Sequence, residues 1–115
     1  MLLNLSNHPA TGWSPEQAGA AEKAFGRVED LPFPNVPPSA DEAEVDRLVG
    51  IFFDKIAGMG PSAVHIMGEM TFSFRLISRL KSAGIPCLAS TTDRLVEERG
   101  GRKIVQFRFV RFRYY

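Results

Sequence analysis

With 115 residues, 44% of them hydrophobic and 23% charged, the chain fits one ordinary globular domain over 1–115 and is too short for two cores. Fourteen basic against thirteen acidic side chains leave a net charge of +1, which excludes a global field drawing the chain to nucleic acid or to an anionic membrane. A lone cysteine, Cys87, excludes an internal disulfide and a cysteine-built zinc cluster; with no apolar run of signal or transmembrane length, the expected setting is the cytoplasm.

Leu2 to Leu5 is a short apolar run ended by the turn-forming Ser6-Asn7-His8-Pro9, and predicts a first strand. Ser14-Pro15-Glu16-Gln17 predicts a helix start, with Ser14 as N-cap, Pro15 where its missing N–H costs nothing, and Gln17 closing a capping box. Ala18, Ala21 and Phe25 are its expected buried stripe and Gly26 its stop.

Val28 to Leu31 predicts a short second strand, followed by a stiff loop with four prolines between Pro32 and Pro38. Ser39-Ala40-Asp41-Glu42 predicts a second capping box, before a helix with Val45, Leu48, Val49, Phe52 and Ile56 on one face and Gly58 and Gly60 at its end. Ala63-Val64-His65-Ile66-Met67 predicts a central strand, and Gly68-Glu69-Met70-Thr71 leads into a third helix carrying Phe72, Leu76, Ile77 and Leu80 up to Gly84.

Ile85 to Ala89 predicts a fourth strand, with Ser90-Thr91-Thr92 at its tip. Beyond it, Leu95–Glu98 and Ile104–Tyr114 flank Arg99-Gly100-Gly101-Arg102, a hairpin signal. Apolar positions shift phase from Val105, Phe107 and Phe109 to Val110, Phe112 and Tyr114, which predicts a β-bulge near Phe109-Val110.

The order β-α-β-α-β-α-β plus a hairpin predicts an α/β fold: a Rossmann-like, mostly parallel sheet with right-handed crossovers and strand order 2-1-3-4. Ligands of such sheets bind at the carboxyl ends of the strands where the order reverses. That selects three polar tips: Ser6-Asn7-His8, Gly68-Glu69-Met70-Thr71 and Ser90-Thr91-Thr92-Asp93-Arg94. Small hydroxyls, amides and a glycine beside a helix N-terminus suit a phosphate or another anion. Gly68 to Thr71 is nevertheless neither a Walker loop nor a G-x-G-x-x-G fingerprint.

Each residue carries a chemical and a structural reading. His8, in a turn, either moves a proton or holds the Pro9 loop. Glu69 would repel a phosphate; it either complements the helix dipole or serves sugar hydroxyls and proton transfer. Ser90, Thr91 and Thr92 either bind phosphate oxygens or cap the next segment. Arg94 either brings positive charge or pairs with Asp93 or Glu97. Trp13 either covers the pocket or packs on the sheet. His65, within an apolar strand, is expected to be a hydrogen-bonded core histidine. The tail Phe107 to Tyr115 interleaves basic and aromatic residues, as a nucleic-acid strand, a half-buried edge strand or a dimer contact would.

Asn4-Leu5-Ser6-Asn7-His8-Pro9, Asp30-Leu31-Pro32-Phe33-Pro34, Val64 to Thr71, Ser90-Thr91-Thr92-Asp93-Arg94 and Phe107 to Tyr115 together resemble a small protein family of type III CRISPR neighbourhoods. The wider group it is similar to is the CRISPR-associated Rossmann-fold (CARF) proteins. These bind cyclic oligoadenylate messengers across a dimer, and some members are ring nucleases that linearise the messenger without a metal. The resemblance implies no cofactor, a homodimer and a cyclic oligoadenylate ligand, with cyclic tetraadenylate favoured. Carried to this sequence, the ligand loops are Ser6-Asn7-His8 and Ser90-Thr91-Thr92, with Gly68-Glu69-Met70-Thr71 between them; for cleavage His8 is the expected acid or base, Arg94 the charge, Glu69 the group orienting a hydroxyl, and Ser6, Asn7, Trp13, Gly68, Met70, Thr71, Ser90, Thr91 and Thr92 the expected binding residues. The alternatives are a module that holds the nucleotide intact and a nucleic-acid-binding strand. The departure from the wider group is charge: that group often places a Lys or Arg in the phosphate loops, whereas here Glu69 is acidic and only Arg94 is close.

Overall fold

A computed structural model describes residues 1–115. Five strands form one sheet in the order β2-β1-β3-β4-β5: β1 Leu2–Ser6, β2 Val28–Asp30, β3 Ala63–Met67, β4 Cys87–Arg99 and β5 Arg102–Tyr114. β2, β1, β3 and β4 pair in parallel, and β5 pairs antiparallel with β4. The fold is α/β and Rossmann-like, with the expected reversal of order between β1 and β3.

Side chains alternate across the sheet and sort into two cores. On one face α2 (Glu42–Met59) and α3 (Met70–Ser82) cover Leu3, Leu5, Val64, Ile66 and Cys87 with Phe52, Ile56, Phe72, Leu76 and Leu80. On the other, α1 (Pro15–Phe25) covers Leu2, Ala63 and Leu88 through Ala21, with Trp13, Phe25 and Phe112 around it. The second core is small. It gives way toward the carboxyl ends of the strands to the polar positions Asn4, Ser6, His65 and Ser90, and the site is built there.

Local chemistry explains the elements, with four corrections. Ser14 caps α1 by accepting from the Gln17 backbone N–H, but the Gln17 side chain does not close the box: its Nε2 donates to Ser90 Oγ at 3.0 Å. Ala21 alone of the expected stripe is buried; Phe25 is half-buried and Ala18 exposed, because one short helix covers little of this face. The α2 cap is Asp41, accepting from the Glu44 N–H at 2.9 Å; Ser39 stands in the preceding turn. The fourth correction concerns β4, which runs through Ser90-Thr91-Thr92 to Arg99 instead of ending at Ala89. β5 supplies a pairing partner all along it, and threonine suits a strand.

The hairpin turns at Gly100 and Gly101 with φ of 57° and 76°, the two positive values of a tight two-residue turn. The register passes from Thr91↔Arg111 to Thr92↔Phe109, so Val110 is the extra residue of the expected bulge. From Thr92 to Arg99 the hairpin is an arm roughly 25 Å long, and its residues are exposed.

Gly68 has a packing reason to be glycine: a Cβ there would lie 2.3 Å from the Phe33 ring. Phe33 in turn meets Phe72 edge-on at 5.3 Å, which pins the proline-rich loop to the core. Gly68→Ala is expected to cost about 1–3 kcal/mol by overpacking, read as a lower urea midpoint with an unchanged slope. An unchanged midpoint would show that the loop yields freely.

Candidate functional site

The three predicted tips do not meet in one place, because the sheet and the Phe33 loop divide them. Ser6, His8, Trp13, Ser90 and Thr92 come together with Gly12, Ser14, Gln17, His65, Met67, Phe107 and Phe109 around a cavity of about 540 Å³. Gly68 and Met70 line a separate depression of about 430 Å³ with Phe74, Lys81 and Tyr115. Asn7 lines a third, between β1 and the Pro32-Phe33 loop.

Glu69 caps α3. Its carboxylate accepts from the Thr71 and Phe72 backbone N–H groups at 3.0 and 2.8 Å and from Thr71 Oγ1 at 2.7 Å. Those bonds hold its pKa below the usual carboxylate range, the Phe72 N–H contributing most. Thr71 is thereby committed to the same cap. Thr91 serves the bulge: its Oγ1 accepts from the Arg111 N–H and donates to the Arg111 carbonyl, on the sheet face away from the main cavity. Arg94 is on the cavity face of β4, opposite Phe107, and makes no ion pair; Asp93 pairs with Arg108 and Glu97 with Arg99.

The main cavity rests on a chain of hydrogen bonds with a single direction. Asp30 is a carboxylate and only accepts, so the Asn4 amide turns its NH₂ to Asp30 Oδ1, and to the His8 carbonyl, both at 2.9 Å. Asn4 Oδ1 therefore faces Ser6 Oγ and His65 Nδ1, each at 2.9 Å, and accepts from both. His65 thus carries its proton on Nδ1, and its Nε2 lone pair accepts from Ser90 Oγ at 2.5 Å. Ser90 Oγ takes the Gln17 N–H in one of its two lone pairs. The other is open to the cavity.

His65 is 2% exposed, and burial first, then the charge of nearby His8, push its pKa down to about 4. At neutral pH it is an uncharged acceptor. Its ring is held by Trp13, edge-on at 5.2 Å, and by Phe112 at 5.8 Å. The His8 carbonyl accepts from Asn4 Nδ2 and Trp13 Nε1, which fixes the β1 loop and leaves the exposed His8 ring without a hydrogen bond.

His65 is the residue the sequence reading missed as part of a site. It is the hydrogen-bonded histidine expected there, but one of its partners is a cavity serine. The available signal was a polar residue on the same face of three apolar strands: Asn4, His65 and Ser90. Cys87 is buried with its thiol pushed up to about 11, chiefly by burial, and is chemically quiet. Phe112 and Phe109 meet edge-on at 5.0 Å, so that part of the tail's aromatic pattern is packing; Phe107 and Tyr114, 68% and 60% exposed, are not. No cluster of His, Cys, Asp and Glu is arranged to hold a metal ion, and no helix is long and apolar enough to cross a membrane.

No curated protein matches the chain. A family model matches residues 1–113, and the chain belongs to the family it describes, the "Uncharacterized protein MJ1673 family".

Proposed function

We propose that the chain binds a cyclic oligoadenylate in the Trp13-His65-Ser90 cavity, one ring spanning two copies of the chain, and cleaves it without a metal. The observation that carries this reading is the lining of the cavity. Aromatic faces of Trp13, Phe107 and Phe109 suit stacked bases, and the neutral donors and acceptors of Ser6, Gln17, Ser90 and Thr92 suit ribose and phosphate oxygens. His8 stands at the cavity with its ring unengaged, and Arg94, free of ion pairs, stands two residues beyond Thr92 on the same face.

The chemistry needs little else. A ribose 2′-oxygen attacks the adjacent phosphorus in line, the P–O5′ bond breaks, and a 2′,3′-cyclic phosphate and a 5′-hydroxyl form. His8 delivers the proton to the leaving 5′-oxygen, and Arg94 with backbone N–H groups balances the charge on phosphate. Glu69, engaged in its cap, shapes the β3–α3 turn rather than the reaction. Exposed Phe107, Val105 and Val96 on the arm provide the surface for a two-fold partner.

The test is incubation of the protein with cyclic tetraadenylate in EDTA, read by mass spectrometry and by titration calorimetry. The expected result is one ring bound per two chains and linear product with 2′,3′-cyclic phosphate ends. His8→Ala should slow cleavage about 100-fold while still binding the ring. Binding with the ring recovered intact would make the chain a nucleotide-holding module. Absence of binding would overturn the proposal.

A further inference from the structure

We infer that Ser90 and His65 form the base half of the site: Ser90 Oγ takes the proton of the attacking ribose 2′-hydroxyl while passing its own to His65 Nε2. The inference rests on the cyclic oligoadenylate reading, and its geometry stands apart from it.

A serine hydroxyl has one proton and two lone pairs. Here the proton goes to His65 Nε2, because Asp30, through Asn4, fixes that nitrogen as an acceptor. One lone pair goes to Gln17 Nε2. Ser90 can therefore only accept from whatever enters the cavity, and it selects a donor such as a ribose 2′-OH over a bare phosphate oxygen. The sequence-level assignment of Ser90 to phosphate binding is replaced by hydroxyl recognition. An orienting amide, an imidazole and a hydroxyl in hydrogen-bond series are the parts of an activated nucleophile, here turned to proton relay.

The step balances. The 2′-oxygen forms the new bond to phosphorus as its proton moves to Ser90 Oγ; the Ser90 proton moves to His65 Nε2; the P–O5′ electron pair leaves with a proton from His8. Two histidines then hold one proton in exchanged places, and solvent at the cavity mouth resets them. The charged and titratable groups around His65 are His8, from the β1 loop, and Asp30, reached through Asn4 from β2; α1, β4 and β5 present Gln17, Ser90 and Phe112, all neutral. His65 remains neutral throughout the physiological range, which keeps its Nε2 lone pair open to the Ser90 hydroxyl; the burial that lowers its pKa also makes it a weak base, so it holds the proton only while the 5′-oxygen leaves.

Two measurements test this. The first needs no nucleotide: an alkyl fluorophosphonate is attacked by Ser90 Oγ, releasing fluoride, and tryptic mass mapping is expected to find Ser90 modified at least 10-fold faster than any other serine. Gln17→Ala, which frees a second lone pair, should retain the label, and His65→Gln should lose it. The second is single-turnover cleavage of cyclic tetraadenylate. Ser90→Ala should fall about 100-fold at pH 7 in the single-turnover rate at saturating ring, and its deficit relative to the wild-type chain should shrink as the pH rises, because hydroxide then takes the 2′-proton; the deficit of His8→Ala should not shrink.

Labelled Ser90 with no cleavage by the wild-type chain would keep the activated serine and remove the nucleotide reading. Cleavage by Ser90→Ala at the wild-type rate would remove the relay and keep the nucleotide reading. A Ser90 no more reactive than other serines would overturn the inference outright.

Discussion

Lowering the pH from 6.5 to 4 is expected to cost the fold about 3 kcal/mol through His65 alone. The folded chain holds this imidazole at about 4, by burial first and by His8 second, whereas the unfolded chain protonates it at the ordinary imidazole value of 6.5. Between those values the unfolded state binds more protons. The contribution is thus fully present above pH 6.5, is lost as pH falls through the window, and stays constant below 4. Glu69, whose pKa is depressed from 4.5, loses its contribution only below that value, so the upper part of the window reports His65. Urea midpoints at pH 7.5, 5.5 and 4.5 should fall in step for the wild-type chain. They should stay nearly level for His65→Gln, and equal slopes in both proteins would overturn the assignment.

Much of the scaffold was legible because each element carries a local physical signal. Pro15 and Ser14 mark α1, the spacing of Val45, Val49, Phe52 and Ile56 marks α2, and the phase slip after Phe109 locates the Val110 bulge. What could not be read depends on partners distant in sequence. Ser90-Thr91-Thr92 looks like a polar tip until β5 is known to pair alongside, and Thr91 looks like a ligand group until the bulge hands it the Arg111 N–H. Gln17 looks like a capping residue, yet its side chain spends its donor on Ser90 across 73 positions of sequence. The split between the cavity and the Gly68-Glu69 turn is also a tertiary fact. It follows from the sheet, with Met67 lining the cavity and Gly68, one residue on, opening beside α3, which no spacing rule announces.

Asn4→Leu is expected to be among the most damaging single substitutions in the chain, at about 2–3 kcal/mol, although it exchanges side chains of nearly equal size on a strand of leucines. Asn4 is 1% exposed and its amide serves four partners: Asp30, the His8 carbonyl, Ser6 and His65. Leucine would strand the His65 Nδ1–H in a buried layer and leave the Ser6 hydroxyl only the His8 carbonyl at 3.2 Å; an orphaned group costs about 1–3 kcal/mol. The packing gain of a fourth leucine offsets only part of that. The direction of the chain of bonds gives a sharper version of the experiment. Asn4→Asp keeps the acceptor for Ser6 and His65 but sets a carboxylate oxygen against Asp30 and the His8 carbonyl, so it too should be strongly destabilised at pH 7. Adding Asp30→Asn reverses the polarity of that one bond, with the new amide donating to the new carboxylate. The double variant is expected to regain part of the stability lost by Asn4→Asp, and its His65, now donating to a charged acceptor, should titrate well above its wild-type value in ¹³C-resolved NMR. His65 that titrates no higher in the double variant than in the wild-type chain would overturn the assigned direction of the chain of bonds, and with it the acceptor role of Ser90.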